Sequence, residues 1–479
     1  MLLTRPLLAL VFLALATLAC SVGGGDDTEL LVITAPPNGT VEPTRITGGG
    51  IPLTDTPTVT PSPTPTFTLT PTFTLTPTFT PTPTLTYTPT NTPTVTPPVM
   101  TLTAIPTGDA LPVARASAEA GLQPTAGWSC GDFPCEDDID GFLQRISVPA
   151  GFAVSHVGQL PGQPRSIAYG PDGRLYAVVI TDGAQTGAVV AYDESTGTSE
   201  ILADGLISPG GLAFRPGTDI LYYTARTTAD GGGAVFSLQP GDPPRLLRDD
   251  LPCCFNIIAG QPNDLTFGPD GYLYLAAGAV TDHGNPDPNL PDLLATPTRW
   301  EGAVLRLPPD GSAVEVVGDG FRDPIDLAFT ADGSAFVTDT GLIYGIGDRV
   351  VRLEAGEHHS WPFWRLRGCS YCPLKPGELT PVPDWVLLPR EARPRGLTAY
   401  HGDQFPAEYY DNLFVALWNG TDDAQRIMRV QNLPNETVAT SAFVTGLIRP
   451  ADVVVAPDGS LVVADFIYGN LWRVAALEE

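Results

Sequence analysis

A short apolar run, a turn built on Pro-Asp-Gly or a variant, and a second run rich in Val, Leu, Tyr and Phe form a phrase that this chain writes six times. Two copies share the same frame, PNDLTFGPDGYLYLAAG from Pro262 and PADVVVAPDGSLVVADF from Pro450. The others read PRSIAYGPDGRLYAVV from Pro164, PGGLAFRPGTDILYYTA from Pro209, PIDLAFTADGSAFVTDT from Pro324 and PRGLTAYHGDQFPAEYYDNLFVAL from Pro394. Asp-Gly between two such runs predicts a hairpin, because glycine takes positive φ without steric cost. The copies are 45, 53, 62, 70 and 56 residues apart. A step of roughly 40 to 50 residues holding about four strands predicts a propeller blade. The fold expected is therefore all-β, a six-bladed β-propeller, with FAVSHV (Phe152 to Val157) closing the ring beside NLWRV (Asn470 to Val474) so that no edge is left open. The wider third and fourth steps leave room for long inserts, 279–300 and 341–393, where binding loops are expected on a rigid scaffold.

Upstream the pattern changes. Residues 1–19 carry one early cation, Arg5, and then LLALVFLALATLA, which is too short to span a bilayer and reads as a signal peptide. Cys20 follows at once, and TLAC resembles a lipoprotein processing site, so lipidation at Cys20 and membrane attachment outside the cytoplasm are expected. Residues 20–139 form a lipidated N-terminus and linker. From Thr56 to Gly108 no residue is charged, and the alternating Thr and Pro predict an extended, disordered stalk without a core. The propeller then occupies 140–479.

Composition narrows the chemistry. A formal charge of −28 argues against nucleic acid, which needs phosphate-neutralising cations. The single lysine, Lys375, makes Schiff-base chemistry improbable. Apart from Cys20, six cysteines remain, in the pairs Cys130 and Cys135, Cys253 and Cys254, and Cys369 and Cys372; outside the cytoplasm disulfides are expected. The pairing of Cys253 and Cys254 stays open. CSYC lacks the following histidine of a haem-attachment site.

Arginines gather where the phrases open: Arg165, Arg322, Arg393, Arg395 and Arg449 flank four of the six prolines. Guanidinium forks suit carboxylates and phosphates, so a ring of them at a channel mouth predicts a multiply anionic ligand on the axis. The competing expectation is that they pair with Asp323, Asp326, Asp348 and Asp452 and tie blades together.

From Phe321 to Trp364 the chain reads FRDPIDLAFTADGSAFVTDTGLIYGIGDRVVRLEAGEHHSWPFW, and this, with PRGLTAYHGDQFPAEYYDNLFVALWNG and RPADVVVAPDGSLVVADFIYGNLWRV, resembles the glucose/sorbosone dehydrogenases over essentially 141–474. The resemblance implies a six-bladed propeller that binds pyrroloquinoline quinone (PQQ) and calcium (Ca2+) and oxidises a small carbohydrate-type substrate, here a sugar, polyol or aldehyde. With no haem site, electrons would pass to an external acceptor. It implies that Arg322 faces the quinone, that Asp348 lies near calcium, and that Trp361, Trp418, Asn419 and Arg449 belong to the cofactor site. Asp323 stands where the family has Asn, and Gly260 where it has its catalytic histidine. His283 on the following loop is the candidate replacement base, ahead of Asp264 and Asp323; His358, His359 and His401 are less favoured. The alternative is a non-catalytic propeller lipoprotein that binds glycans or proteins.

Overall fold

The computed structural model describes residues 134–477, apart from 183–185, 230, 254–261, 285–298, 343–346, 371, 420–424 and 434–436. The expectations for residues 1–133, including Cys20, and for Gly260 lie outside the described residues.

Six four-stranded antiparallel blades follow one another along the chain. The first is Gln163–Tyr169, Leu175–Ile180, Thr186–Asp193 and Thr198–Ile207, and the second runs from Leu212–Phe214 to Arg245–Leu251. These two are joined at their rims by one pairing, Ile207 with Arg226, which makes a continuous eight-stranded sheet. The third, fourth and fifth blades span 262–319, 324–387 and 394–444. The sixth takes three strands from 450–476 and its outermost from Phe152–Gln159, which pairs antiparallel with Asn470–Ala476 in the register Phe152 to Ala476. The ring thus closes between the two ends of the domain, as expected.

Second strands such as Leu175–Ile180 and Leu413–Leu417 are buried throughout, because neighbouring blades cover both of their faces, and they read as unbroken apolar runs. Outermost strands such as Thr198–Ile207 are largely exposed. The Asp-Gly turns hold Gly173, Gly271, Gly333 and Gly459 at φ of 81, 78, 84 and 83°, a region closed to most L-residues. Between the last two blades Phe152, Phe405, Phe414 and Phe443 pack with Trp472 and Val474. A short helix, Ile139–Arg145, capped by Asp138, adds Phe142 to that core at 5.5 Å from the Trp472 ring. Cys369 and Cys372 form a disulfide inside the fourth-blade insert, and Cys135 and Cys253 each take part in a separate disulfide. Among the described residues no helix is long and apolar enough to cross a membrane.

Candidate functional site

Five of the six innermost strands share one local device. Just after the proline of each phrase the pairing slips, between Pro164 and Ser166, Pro262 and Leu265, Pro324 and Leu327, Pro394 and Leu397, and Pro450 and Asp452. Such a bulge re-aims the side chains on either side of it. The residues that follow the six prolines, Arg165, Gly210, Asn263, Ile325, Arg395 and Ala451, all line one cavity of about 240 Å³ at the axis. Trp418 and Phe466 complete its wall, their rings edge-to-face at 4.5 Å.

Two of those six positions carry a cation. Arg395 keeps some exposed area because it borders the channel, yet protein encloses it, and its Nε is buried without a hydrogen-bond partner. Its guanidinium lies 5.1 Å from the centre of the Trp418 ring. Burial, then repulsion by Arg395 and Arg226, pulls the Arg165 pKa down to about 10. Burial also lowers Arg395, and Asp323 partly offsets this. Arg449 Nη1 donates to the Trp418 carbonyl at 3.2 Å and to Asn419 Oδ1 at 2.8 Å, fixing the segment that carries the indole. The structure therefore brings Arg165, Arg395, Arg449, Trp418 and Asn419 together around the mouth.

Arg322 lies in different surroundings. Its Nε and Nη2 donate to Asp282 Oδ1 at 2.8 and 2.6 Å, with both side chains largely buried. The Asp282 carbonyl accepts from Trp361 Nε1 at 3.0 Å. Trp361 itself packs with Ala279, Leu342, Trp364, Cys369 and Cys372 in a small core. The structure thus places Trp361 as packing and leaves no free face for a planar ligand. His283, next to Asp282, is buried; Gly284 after it sits at φ 72° so close to Pro362 that a Cβ would lie 2.5 Å from the proline ring. Its neighbours Asp282 and Gly284 are thus both held in the wall, and His283 does not line the arginine cavity.

Asp348 accepts from the Gly341 amide at 2.7 Å and the Arg393 amide at 3.2 Å, and burial raises its pKa. Among the described residues no three His, Cys, Asp or Glu side chains converge to hold a metal ion. Of the other histidines, His359 stacks on Phe321 at 4.6 Å and burial holds its pKa at about 4, while His401 pairs with Asp411 on the surface.

Below the arginines lies a second ring, in which acidic positions stand among small ones. The next position of each phrase is Ser166, Gly211, Asp264, Asp326, Gly396 or Asp452. Asp326 accepts from Leu327 and, across the blade boundary, from Leu397, both at 2.6 Å. Asp452 accepts from Val453 and from Ile167 of the first blade, both at 2.7 Å. Asp264 accepts from Leu265 at 2.8 Å and from the Leu212 amide of the second blade. Gly211 and Gly396 are small for a reason: a Cβ on either would lie 2.0 Å from a carboxylate oxygen of Asp264 or Asp452. Burial raises all three carboxyls, Asp264 to about 7; Asp264 and Asp452 raise Asp326 further, and Asp264 raises Asp452. Asp323, held by Asn263 Nδ2 at 3.0 Å, is raised by burial to about 6. Asp326, Asp348 and Asp452 thus spend their oxygens on backbone amides, and Arg322 finds its partner in Asp282.

The chain is similar in fold to a solved PQQ-bound aldose sugar dehydrogenase from Streptomyces coelicolor, with 20% identity, 69% of this chain and 100% of that one covered, and a TM-score of 0.50. It is similar in the same way to a soluble aldose sugar dehydrogenase from Escherichia coli in its apo-form, with 17% identity, 68% and 100% coverage and a TM-score of 0.54. A 202-residue stretch is 23% identical to an uncharacterized protein of Borreliella burgdorferi, covering 37% of this chain and only 53% of that relative's length. Residues 260–473, the third to the sixth blade, match the model of the Glucose / Sorbosone dehydrogenase family, the same family that the sequence resembles.

Proposed function

We propose that the propeller is a PQQ-dependent oxidoreductase acting on a sugar, polyol or aldehyde, anchored outside the cytoplasm by lipid on Cys20 and delivering electrons to an external acceptor. One observation carries the reading: Arg395 Nε is buried and unpartnered in a cavity that Arg395 shares with Arg165 and the Trp418 indole. Two desolvated guanidiniums that repel each other are stabilised by an anion between them, and a planar polycarboxylate beside an indole fits that donor set.

Such a quinone, when bound, supplies the acceptor for a hydride. Arg165 and Arg395 would hold its carboxylates, and Arg449, through its bonds to Trp418 and Asn419, keeps the indole edge in place. A proton acceptor is still required for the substrate hydroxyl. Asp323, raised to about 6, holds or releases a proton close to neutrality, whereas His283, buried in the wall, would serve only after its segment moved. Calcium does not fit in the same way, since both Asp348 oxygens serve backbone amides.

The Arg322–Asp282 pair favours a second reading, a propeller that binds glycans or proteins without turnover, because it neutralises the arginine the family points at the quinone. Purified protein incubated with PQQ, with and without calcium, and screened for dye reduction over sugars and alcohols separates the two. Turnover that falls at least about tenfold in His283→Ala assigns the base to His283. Absence of turnover despite bound quinone leaves the binding module. Release of Cys20→Ser to the soluble fraction tests the anchor.

A further inference from the structure

The axial carboxylates have no part in the reading above, yet they are built against its cavity. Asp264 lines both the arginine cavity and the wider space of about 410 Å³ beneath it, which Asp326, Asp452 and Ser166 also line. It is therefore the floor of the anion site and the top of an acidic cluster at once. We propose that the arginine cavity takes up its anionic ligand together with a proton, and that the proton is held by the Asp264–Asp326–Asp452 cluster.

The coupling between ligand and proton is electrostatic. Arg165 of the first blade and Arg395 of the fifth share the arginine cavity with Asp264, and Arg226, Arg322, Arg393, Asp323 and Asp348 act electrostatically on those two arginines. Below, the polar side chains lining the space beside the three carboxylates are Ser166, Tyr169, Thr266, Thr398 and His401. A carboxylate-bearing ligand on Arg165 and Arg395 offsets their positive charge and adds negative charge beside Asp264, which lines the same cavity. In a desolvated channel, both changes favour the protonated acid. Asp264 starts near 7, so a shift in its proton affinity changes its occupancy at neutral pH.

Linkage fixes the sign. A ligand that binds with a proton binds more weakly as pH rises, by up to about tenfold per unit for one linked proton once the free cluster is ionised. Ser166, Gly211 and Gly396 make room for the carboxylates, and each Asp clasps an amide of a neighbouring blade. The cluster is thus rigidly placed, and ligand binding alters its protonation without moving a loop.

This inference rests on the anion site of the proposed function, and its test separates the two. Titration calorimetry of the full chain at neutral pH, in two buffers of different ionisation enthalpy, reads proton uptake directly and needs no variant. The probes are PQQ and trimesate, a planar benzene tricarboxylate without redox chemistry. The expected result is a buffer-dependent heat for both, corresponding to uptake of up to about one proton, with affinity falling on the alkaline side. Asp264→Asn should abolish the buffer dependence and flatten the pH profile. Asp326→Asn, which leaves the arginine cavity's own lining intact, should reduce both. Tight binding of PQQ with equal heats in the two buffers overturns the proton coupling and leaves the proposed function standing. Trimesate bound with proton uptake, and PQQ not bound, supports the coupling and removes the quinone reading. Failure of both probes to bind overturns the coupling along with the anion site.

Discussion

Two arginines that the sequence sets at equivalent blade openings have opposite fates. Arg322, two residues before its proline, turns into the wall and is neutralised by Asp282; Arg395, one residue after its proline, turns into the channel and keeps a buried Nε without a partner. The difference lies in the bulge between them and in what the preceding loop supplies. A cation with a built-in counter-ion stabilises structure and has little left for a ligand. One held desolvated and unpaired is costly in the empty protein and is relieved by an anion. The Arg322 corner of the fourth blade is accordingly self-satisfied, whereas Arg165 of the first blade and Arg395 of the fifth line the cavity.

The largest expected effect sharpens this contrast through stability. Arg322→Ala strands Asp282 in a buried site and should cost about 3–5 kcal/mol, the range for breaking a buried pair, read as a fall in denaturant midpoint. The Arg322→Ala, Asp282→Ala double variant should recover much of it. A single variant that folds normally but no longer binds PQQ would invert the assignment. Arg395→Ala should do the reverse, leaving the melting curve unchanged or improved and weakening PQQ by about 1.5–3 kcal/mol, the worth of a charge-assisted hydrogen bond, in titration calorimetry. Gly396→Ala, which drives a methyl against Asp452, should cost roughly 1–3 kcal/mol of stability by overpacking, measured by the same unfolding curves.

Stability against pH has a definite sign. The folded Asp264 carboxyl keeps its proton up to about 7, whereas an unfolded aspartate releases it near about 3.9. Between those values the folded state binds more protons, so stability falls as pH rises through the window and levels off above it. Asp264→Asn should remove part of that slope. The smallest effect expected is that of Trp418→Leu, which removes the ring beside Arg395 and should weaken anion binding by about 0.5–2 kcal/mol, the range for such a cation–π contact.

The architecture was legible because each blade repeats one phrase, and its turn chemistry and apolar runs are local properties. The closing strand was legible too, since FAVSHV had no other partner to complete the sixth blade. The mouth was only half legible. Charge alone grouped Arg165, Arg322, Arg395 and Arg449, but which side of the bulge a residue occupies decides whether it meets the channel, and that is a matter of register. Asp282 carried no signal, standing in a long insert far from Arg322 in sequence. The axial carboxylates did carry one: the same phrase position reads Ser, Gly, Asp, Asp, Gly, Asp, small residues complementing acids across three blade boundaries. Trp361 looked like a platform because aromatic residues at loops serve both packing and binding, and only its indole bond to the Asp282 carbonyl tells them apart.

The pairing of Phe152–Gln159 with Asn470–Ala476 also sets an order in time. The first strand of the propeller to be synthesised has to wait, unpaired, until the last one emerges, and a contact between such distant parts of a chain is slow to find. Until then both rims of an incomplete ring present free amides and carbonyls to any passing strand. A chain that stops short of Asn470 would keep that hazard permanently, so the final seven-residue strand determines whether the other blades mature or aggregate.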